Sequence, residues 1–255
     1  MFRNHYDNDV TIWSPQGRIH QIEYAMEAVN QGSVALALKN NAYAVITSLK
    51  RSADTLTKHQ RKTIVIDDHV GVAVSGLQAD AQMLAKFMRE ECLNSKWAYD
   101  NPIAVERLAR AIATKSQRNT QIYGRRPYGV GMLLVGVSNE KPQIFQTCPS
   151  GNYFECIAMA IGARSQSART YLEKHLDSFN SCSLEDLIKH SIQALTNTLT
   201  NEDALTEHKT DIGIVGVDQS FRMLTEEELK NWLSKVETKK PSRATEEQMD
   251  TTTKD

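Results

Sequence analysis

The side chains able to do chemistry are scattered through the 255-residue chain. The histidines stand at His5, His20, His59, His69, His175, His190 and His208. None forms a His-Glu-x-x-His spacing or pairs with a cysteine at ligand spacing, so no two imidazoles share a helix face on which to hold zinc. The cysteines Cys92, Cys148, Cys156 and Cys182 include no Cys-x-x-Cys pair and read as free thiols of a reducing compartment. No Gly-x-x-x-x-Gly-Lys loop is present to cradle phosphate with backbone amides, and Gly129-Val130-Gly131 stops short of a dinucleotide fingerprint inside a strand pattern. The serine-hydrolase elbow Gly-x-Ser-x-Gly is also missing. The acidic groups Glu90-Glu91 and Glu226-Glu227-Glu228 fall at helical positions, where carboxylates serve as solvated charge or favour the helix N-terminal field over general acid-base work. No metal and no cofactor is expected.

Composition narrows the remaining classes. The chain carries 30 Lys plus Arg against 31 Asp plus Glu, a formal net charge of −1, and 40% hydrophobic residues. Proteins that coat nucleic acid need a basic excess to neutralise phosphates, so nucleic acid is not an expected partner. Nor is a membrane, because no apolar run approaches the roughly 20 residues of a span. The start, MFRNHYDNDVTIW, lacks the basic and apolar regions of a secretory signal. A reducing, non-secreted compartment is the expected location. A chain of this length buries on the order of 70% of its unfolded surface without a staple. Residues 237–255 have almost no aliphatic content and cannot offset the entropy of ordering, so a disordered tail is expected there. The KKPSR stretch within it reads first as solvated charge, with a weak nuclear-import signal as the alternative.

The elements follow from hydrophobic period. Short runs rich in Val, Ile and Ala over 32–39 and 43–50, separated by Asn40-Asn41, predict a hairpin. Runs over 63–66 and 70–74 repeat the pattern. The period then changes: Met83, Leu84, Phe87 and Met88 predict a helix over 78–93, and Leu108, Ala111 and Ile112 predict another over 103–117. The second half repeats the order, with strands over 128–137, 143–147 and 154–161, helices over 165–179 and 184–199, strands over 211–217 and 221–224, and a helix over 226–236. Strand blocks alternating with helix pairs argue for antiparallel sheets with helices outside them.

The opening segment stands apart. Ile19, Ile22, Met26 and Val29 recur at helical spacing, predicting an amphipathic helix over 18–30 that begins after the turn Ser14-Pro15-Gln16-Gly17. Its apolar stripe fits its own domain or a partner subunit equally well. The residues that precede and follow this turn are specific. Tyr6-Asp7 and the run from Trp13 through Gly17, Tyr24 and Ala28 closely resemble the N-terminal signature of proteasome α-type subunits. The resemblance continues through Gly32-Ser33, Ser75-Gly76-Leu77-Gln78-Ala79-Asp80-Ala81, Arg126-Pro127-Tyr128-Gly129-Val130, Ala160-Ile161-Gly162 and Ile212-Gly213-Ile214-Val215-Gly216.

The resemblance implies an α+β fold, a four-layer α-β-β-α sandwich of the N-terminal-nucleophile hydrolase class with an extra N-terminal helix. It divides the chain into a gating tail and turn (1–17), a sandwich domain with its helix (18–236) and the tail (237–255). It implies partners: other α subunits in a heptameric ring, β-ring subunits, and a regulatory particle or other activators that insert C-terminal tails. In hydrolytic members a processed N-terminal Thr supplies both nucleophile and base. The matching place here is Ser33, whose nitrogen is an amide while the preceding segment is retained. Counting on from Ser33, the acidic partner falls at Leu49, and the lysine matches Lys62. One part of three is not a site, so no catalytic residue is expected, the alternative being a self-processing amidohydrolase that uses Ser33. The family's gate residues carry over to Tyr6, Asp7, Pro15 and Tyr24. Lys62 also matches a lysine that pairs with the C-terminal carboxylate of an activator, against the plainer role of a strand-edge lysine. The Arg125-Arg126-Pro127 stretch reads as a structural turn.

Overall fold

A computed structural model describes residues 6–51, 56–57, 60–199 and 205–237. Residues 1–5 of the expected gating tail, and the expected C-terminal tail after Glu237, lie outside the described residues. In chain order the elements are α1 (His20–Gln31), β1 (Ala35–Lys39), β2 (Tyr43–Leu49), β3 (Thr63–Asp67), β4 (Val70–Gly76), α2 (Gln78–Tyr99) and α3 (Val105–Asn119). Then come β5 (Val130–Ser138), β6 (Lys141–Thr147), β7 (Tyr153–Cys156), β8 (Ala158–Ile161), α4 (Ser165–Lys174), α5 (Leu176–Phe179), α6 (Leu184–Thr196), β9 (Thr210–Gly216), β10 (Gln219–Met223) and α7 (Glu226–Glu237).

Among the described residues the strands form two five-stranded sheets, ordered β10-β9-β2-β1-β8 and β3-β4-β5-β6-β7, and the neighbouring strands run antiparallel throughout. Alternation along a strand sends successive side chains to opposite faces. Leu36 and Leu38 of β1 therefore join Leu172, Leu187 and Ile192 in one outer core, under α4, α6 and α7. Ala35 and Ala37, between them, face the other sheet and meet Ala44, Ala73 and Leu133 in the middle layer. Val72, Met132 and Leu134 meet Leu84, Met88, Leu108 and Ile112 of α2 and α3 in the second outer core. These layers are the expected α-β-β-α sandwich.

Three expectations change in detail. The run 154–161, expected as one strand, is two: β7 pairs with β6 in one sheet and β8 pairs with β1 in the other. The chain crosses between sheets at the exposed Ile157, and because apolar content continues through the crossing, composition carried no mark of it. The helix expected over 165–179 breaks at His175, which has φ −112° and whose ring stacks on Tyr171 at 4.2 Å. The stripe of α1 also shifts. Ala25 and Val29 are buried while Met26 is 45% exposed, because this helix approaches a backbone surface too closely for a long side chain.

The middle layer depends on small residues as much as on large ones. Phe221 of β10 reaches across into a notch where a Cβ on Gly71 would lie 2.1 Å from its ring and one on Gly213 would lie 2.6 Å away. Interiors are packed to crystal density, so an added methyl here must displace the ring. Gly71→Ala is expected to lower stability by about 1–3 kcal/mol, the usual cost of overpacking. Chemical denaturation of the purified chain checks this, and an unchanged midpoint would show that the notch has room.

Candidate functional site

The residues expected to form a gate sit on a short ordered segment ahead of α1. Asp9 accepts the amide and hydroxyl of Thr11 at 2.8 and 2.7 Å, contacts that hold its carboxyl below the usual carboxylate range. Val10, between them in sequence, is buried. The Ser14–Gly17 turn closes with the Gly17 amide donating to the Ser14 carbonyl at 2.9 Å, and Gly17 takes φ +76°, which a glycine adopts without strain. Pro15, exposed in this turn, presets φ ahead of the helix. The chain then re-enters α1 braced by Arg18, whose guanidinium donates to Glu23 at 2.7 Å.

Tyr24 and Asp7, two of the expected gate residues, meet. The Tyr24 hydroxyl donates to Asp7 Oδ2 at 3.2 Å, and the Asp7 carbonyl accepts the Gln21 side-chain amide. Desolvation, with the Asp7 carboxylate second, raises the Tyr24 phenol above its ordinary value. Tyr6 is partly exposed beside Asp7 in sequence, and Pro15 stands eight residues further on, in the turn rather than at the Tyr24–Asp7 contact.

Helix α1 rests on the end of the sandwich through backbone. A Cβ on Gly131 would lie 2.8 Å from Val29 Cγ1, and one on Gly32 would lie 2.3 Å from both the Gly76 amide nitrogen and Ser75 Oγ. The Ser75 hydroxyl donates to the Val29 carbonyl at 2.9 Å, satisfying a helix-end acceptor. From this seat the chain runs directly into Ser33.

Ser33 is 3% exposed, and its hydroxyl is buried with no partner among the described residues. Leu49, expected opposite it as the lost acidic position, packs into the outer core near α4 and α6 and faces no reacting atom. Sequence reasoning missed Lys50 and Asp211. Continuing the antiparallel register two residues past the Ala35–Ser48 pair brings Ser33 level with Lys50. Lys50 Nζ lies 3.0 Å from Asp211 Oδ1, with side chains only 10% and 8% exposed, and Ser48 and Thr63 share a hydrogen bond of 2.9 Å nearby in sequence on β2 and β3. A lysine neutralised by a carboxylate is a poor general base. The buried thiol of Cys92, pushed up to about 12 by burial, is no nucleophile either. Among the described residues no group of three or more His, Cys, Asp or Glu could hold a metal ion.

Lys62 precedes the edge strand β3, as expected, but its stem is buried and the residue is 8% exposed. Burial first, then the charge of Arg51, lowers its pKa. No hydrogen bond or ion pair engages its ammonium among the described residues. The Arg126 turn is tied down: its guanidinium grips Asp80 in the first turn of α2 with a fork of 2.7 and 2.8 Å, and the Gly129 amide donates to the same carboxylate at 3.0 Å. The Arg126 contact, with the Gly129 amide in support, holds the Asp80 carboxyl below its usual range against desolvation. Asp80 was not legible as a buried charge, because an acid in a helix's first turn ordinarily reads as solvated.

Comparison with known proteins adds the family. The family model described as proteasome subunit matches residues 29–215, and the N-terminal signature of A-type proteasome subunits matches residues 6–28. A Dictyostelium discoideum protein named as an alpha type-1 proteasome subunit is 52% identical over 94% of this chain and 98% of its own length. A Drosophila melanogaster protein of the same name is 50% identical over 88% of this chain and 82% of its own. A Schizosaccharomyces pombe protein named as a probable alpha type-6 proteasome subunit is 46% identical over 96% of this chain and 90% of its own. The chain belongs to the proteasome subunit family, in the branch that carries the A-type N-terminal signature.

The buried Lys50–Asp211 pair generates a stability prediction. Lys50→Met leaves Asp211 uncompensated in the interior and is expected to cost about 3–5 kcal/mol, as losing one partner of a buried pair does. Adding Asp211→Leu should recover much of that loss. Thermal unfolding of the single and double variants checks it, and equal midpoints for the wild type and Lys50→Met would show the pair to be solvated.

Proposed function

We propose that this chain is a non-catalytic α-ring subunit of the 20S proteasome core particle, in the position of its relatives named alpha type-1. In that place it packs against other α subunits in a heptameric ring and against a β ring that carries the peptidase chemistry. It serves ubiquitin- and ATP-dependent protein degradation in the cytoplasm and nucleus. The observation that carries this reading is α1 seated on the sandwich end with Ser33 buried at its foot. A serine whose nitrogen is acylated by thirty-two preceding residues has no free amine to accept the hydroxyl proton.

The ordered segment before α1 then has a use. Its residues reach the pore axis and, with the equivalent segments of neighbours, close the substrate gate. Tyr24 and Asp7 supply a polar pair that can exchange partners between subunits, and Tyr6 and Pro15 belong to the same cluster when the gate opens. Lys62 offers a recessed ammonium to the terminal carboxylate of an activator tail, a charge-assisted contact strengthened by partial burial.

Deleting residues 1–10 from the subunit in an assembled particle should raise its latent peptide hydrolysis several-fold, while leaving fully activated hydrolysis unchanged. An unchanged latent rate would remove this segment from the gate. Lys62→Ala should weaken docking of a carboxylate-terminated activator peptide. Because burial lowers the Lys62 pKa, the charged form is lost at a lower pH than for an ordinary lysine. Docking to the wild type should therefore weaken as pH rises toward that value, and the Lys62→Ala variant should lack this dependence. Equal affinity for both proteins at neutral pH would overturn the assignment.

A further inference from the structure

We propose that the Asp80–Arg126 pair is a positioning device for α1 and, through it, for the N-terminal segment. The proposal deepens the gate reading and rests on it. The pair is unusual in its placement. The Asp80 side chain is 3% exposed whereas that of Arg126 is 62% exposed, so a buried carboxylate is neutralised by a cation reaching in from the surface. Three donors converge on that carboxylate: both terminal nitrogens of Arg126, at 2.7 and 2.8 Å, and the Gly129 amide at 3.0 Å. Gly129 is held from its other side as well, since its carbonyl accepts the Leu77 amide at 2.8 Å.

What Gly129 does with this fixed position explains the expense of a buried charge. Together with Gly131 it makes the floor on which α1 lies. A Cβ on Gly131 would stand 2.8 Å from Val29 Cγ1, while one on Gly129 would stand 2.8 Å from Leu77 Cδ1 and, more loosely, 3.6 Å from Ala28 Cβ. At the Gly131–Val29 separation an ångström of drift in the strand that Gly129 leads into displaces the helix, because packed interiors transmit displacement rather than absorb it. The loop leading into Arg126 makes the second link. Its Gly124 amide reaches Asp9 at 3.5 Å, two residues from the Asp7 that Tyr24 holds. The clamp thus meets the gate segment by two routes, through the helix floor and through the loop. A simple tie between α2 and the following strand would need neither the glycine floor nor the loop contact.

A lysine in place of Arg126 keeps the charge but cannot bridge both carboxylate oxygens. Arg126→Lys should therefore leave the fold intact and loosen the floor. In assembled particles it should raise latent peptide hydrolysis several-fold, toward the level reached by deleting residues 1–10. Combined with that deletion it should add nothing further, because both act through the same segment. An assembled Arg126→Lys particle with an unchanged latent rate, or one whose effect multiplies that of the deletion, would overturn the proposal. If the deletion alone leaves the rate unchanged, the gate reading fails, and the positioning claim is then judged by hydrogen exchange. In the Arg126→Lys chain, amides of 20–31 should exchange faster while those of 78–99 keep their protection. The same readout applies if assembly is impaired. Unchanged exchange in 20–31, or a uniform loss of protection in both helices, would contradict a positioning role.

Discussion

The contact on which the molecule depends is the approach of α1 to backbone at one end of the two sheets. Helices normally rest on side chains; here Val29 meets Gly131, Gly32 abuts the Gly76 backbone, and the Val29 carbonyl is capped by Ser75. Such a seat is narrow and rigid, and it admits only a helix whose inner face is small. Ala25, Ala28 and Val29 meet that demand, and Met26 is turned outward by it. With the helix in place, the segment before it is carried on the same end of the sandwich, and the residue after it, Ser33, is closed in. The same packing thus closes in Ser33 and carries the segment ahead of α1.

The sandwich itself is organised to support that end. Alternation sends alanines to the middle layer and leucines to the outer ones, so two sheets come close enough for Phe221 to seat against Gly71 and Gly213. Near Ser33 the middle layer turns polar. Lys50 and Asp211 pair there at 3.0 Å, and Leu49 packs into an outer core. The Asp80–Arg126 fork is the counterpart on the other sheet, where a buried charge fixes strand position rather than chemistry.

Much of this was legible in the chain. The hairpin at Asn40-Asn41, the helical periods after Gln78 and Val105, and the turn at Ser14–Gly17 are local signals, and local signals survive folding. The signature around Tyr6, Asp7, Pro15 and Tyr24 marked the family. What could not be read was set by distance in space. The crossing at Ile157 leaves no compositional trace because both strands it joins are apolar. Lys50 and Asp211 are separated by most of the chain, and they meet diagonally across β2 and β9, where Asp211 is registered with Ser48. The burial of Asp80 carried no local signal because its partner lies 46 residues away. The Tyr24–Asp7 contact was legible only as a family likeness, since an exposed tyrosine and a nearby acid carry no pattern of their own.

The central proposal is that the chain keeps the segment ahead of Ser33, and so works by packing and gating rather than by peptide-bond chemistry. Intact-mass measurement of the subunit released from native particles tests it most directly. The account predicts a single species that retains residues 6–32 ahead of Ser33. A species beginning at Ser33, with a free α-amine, would contradict it.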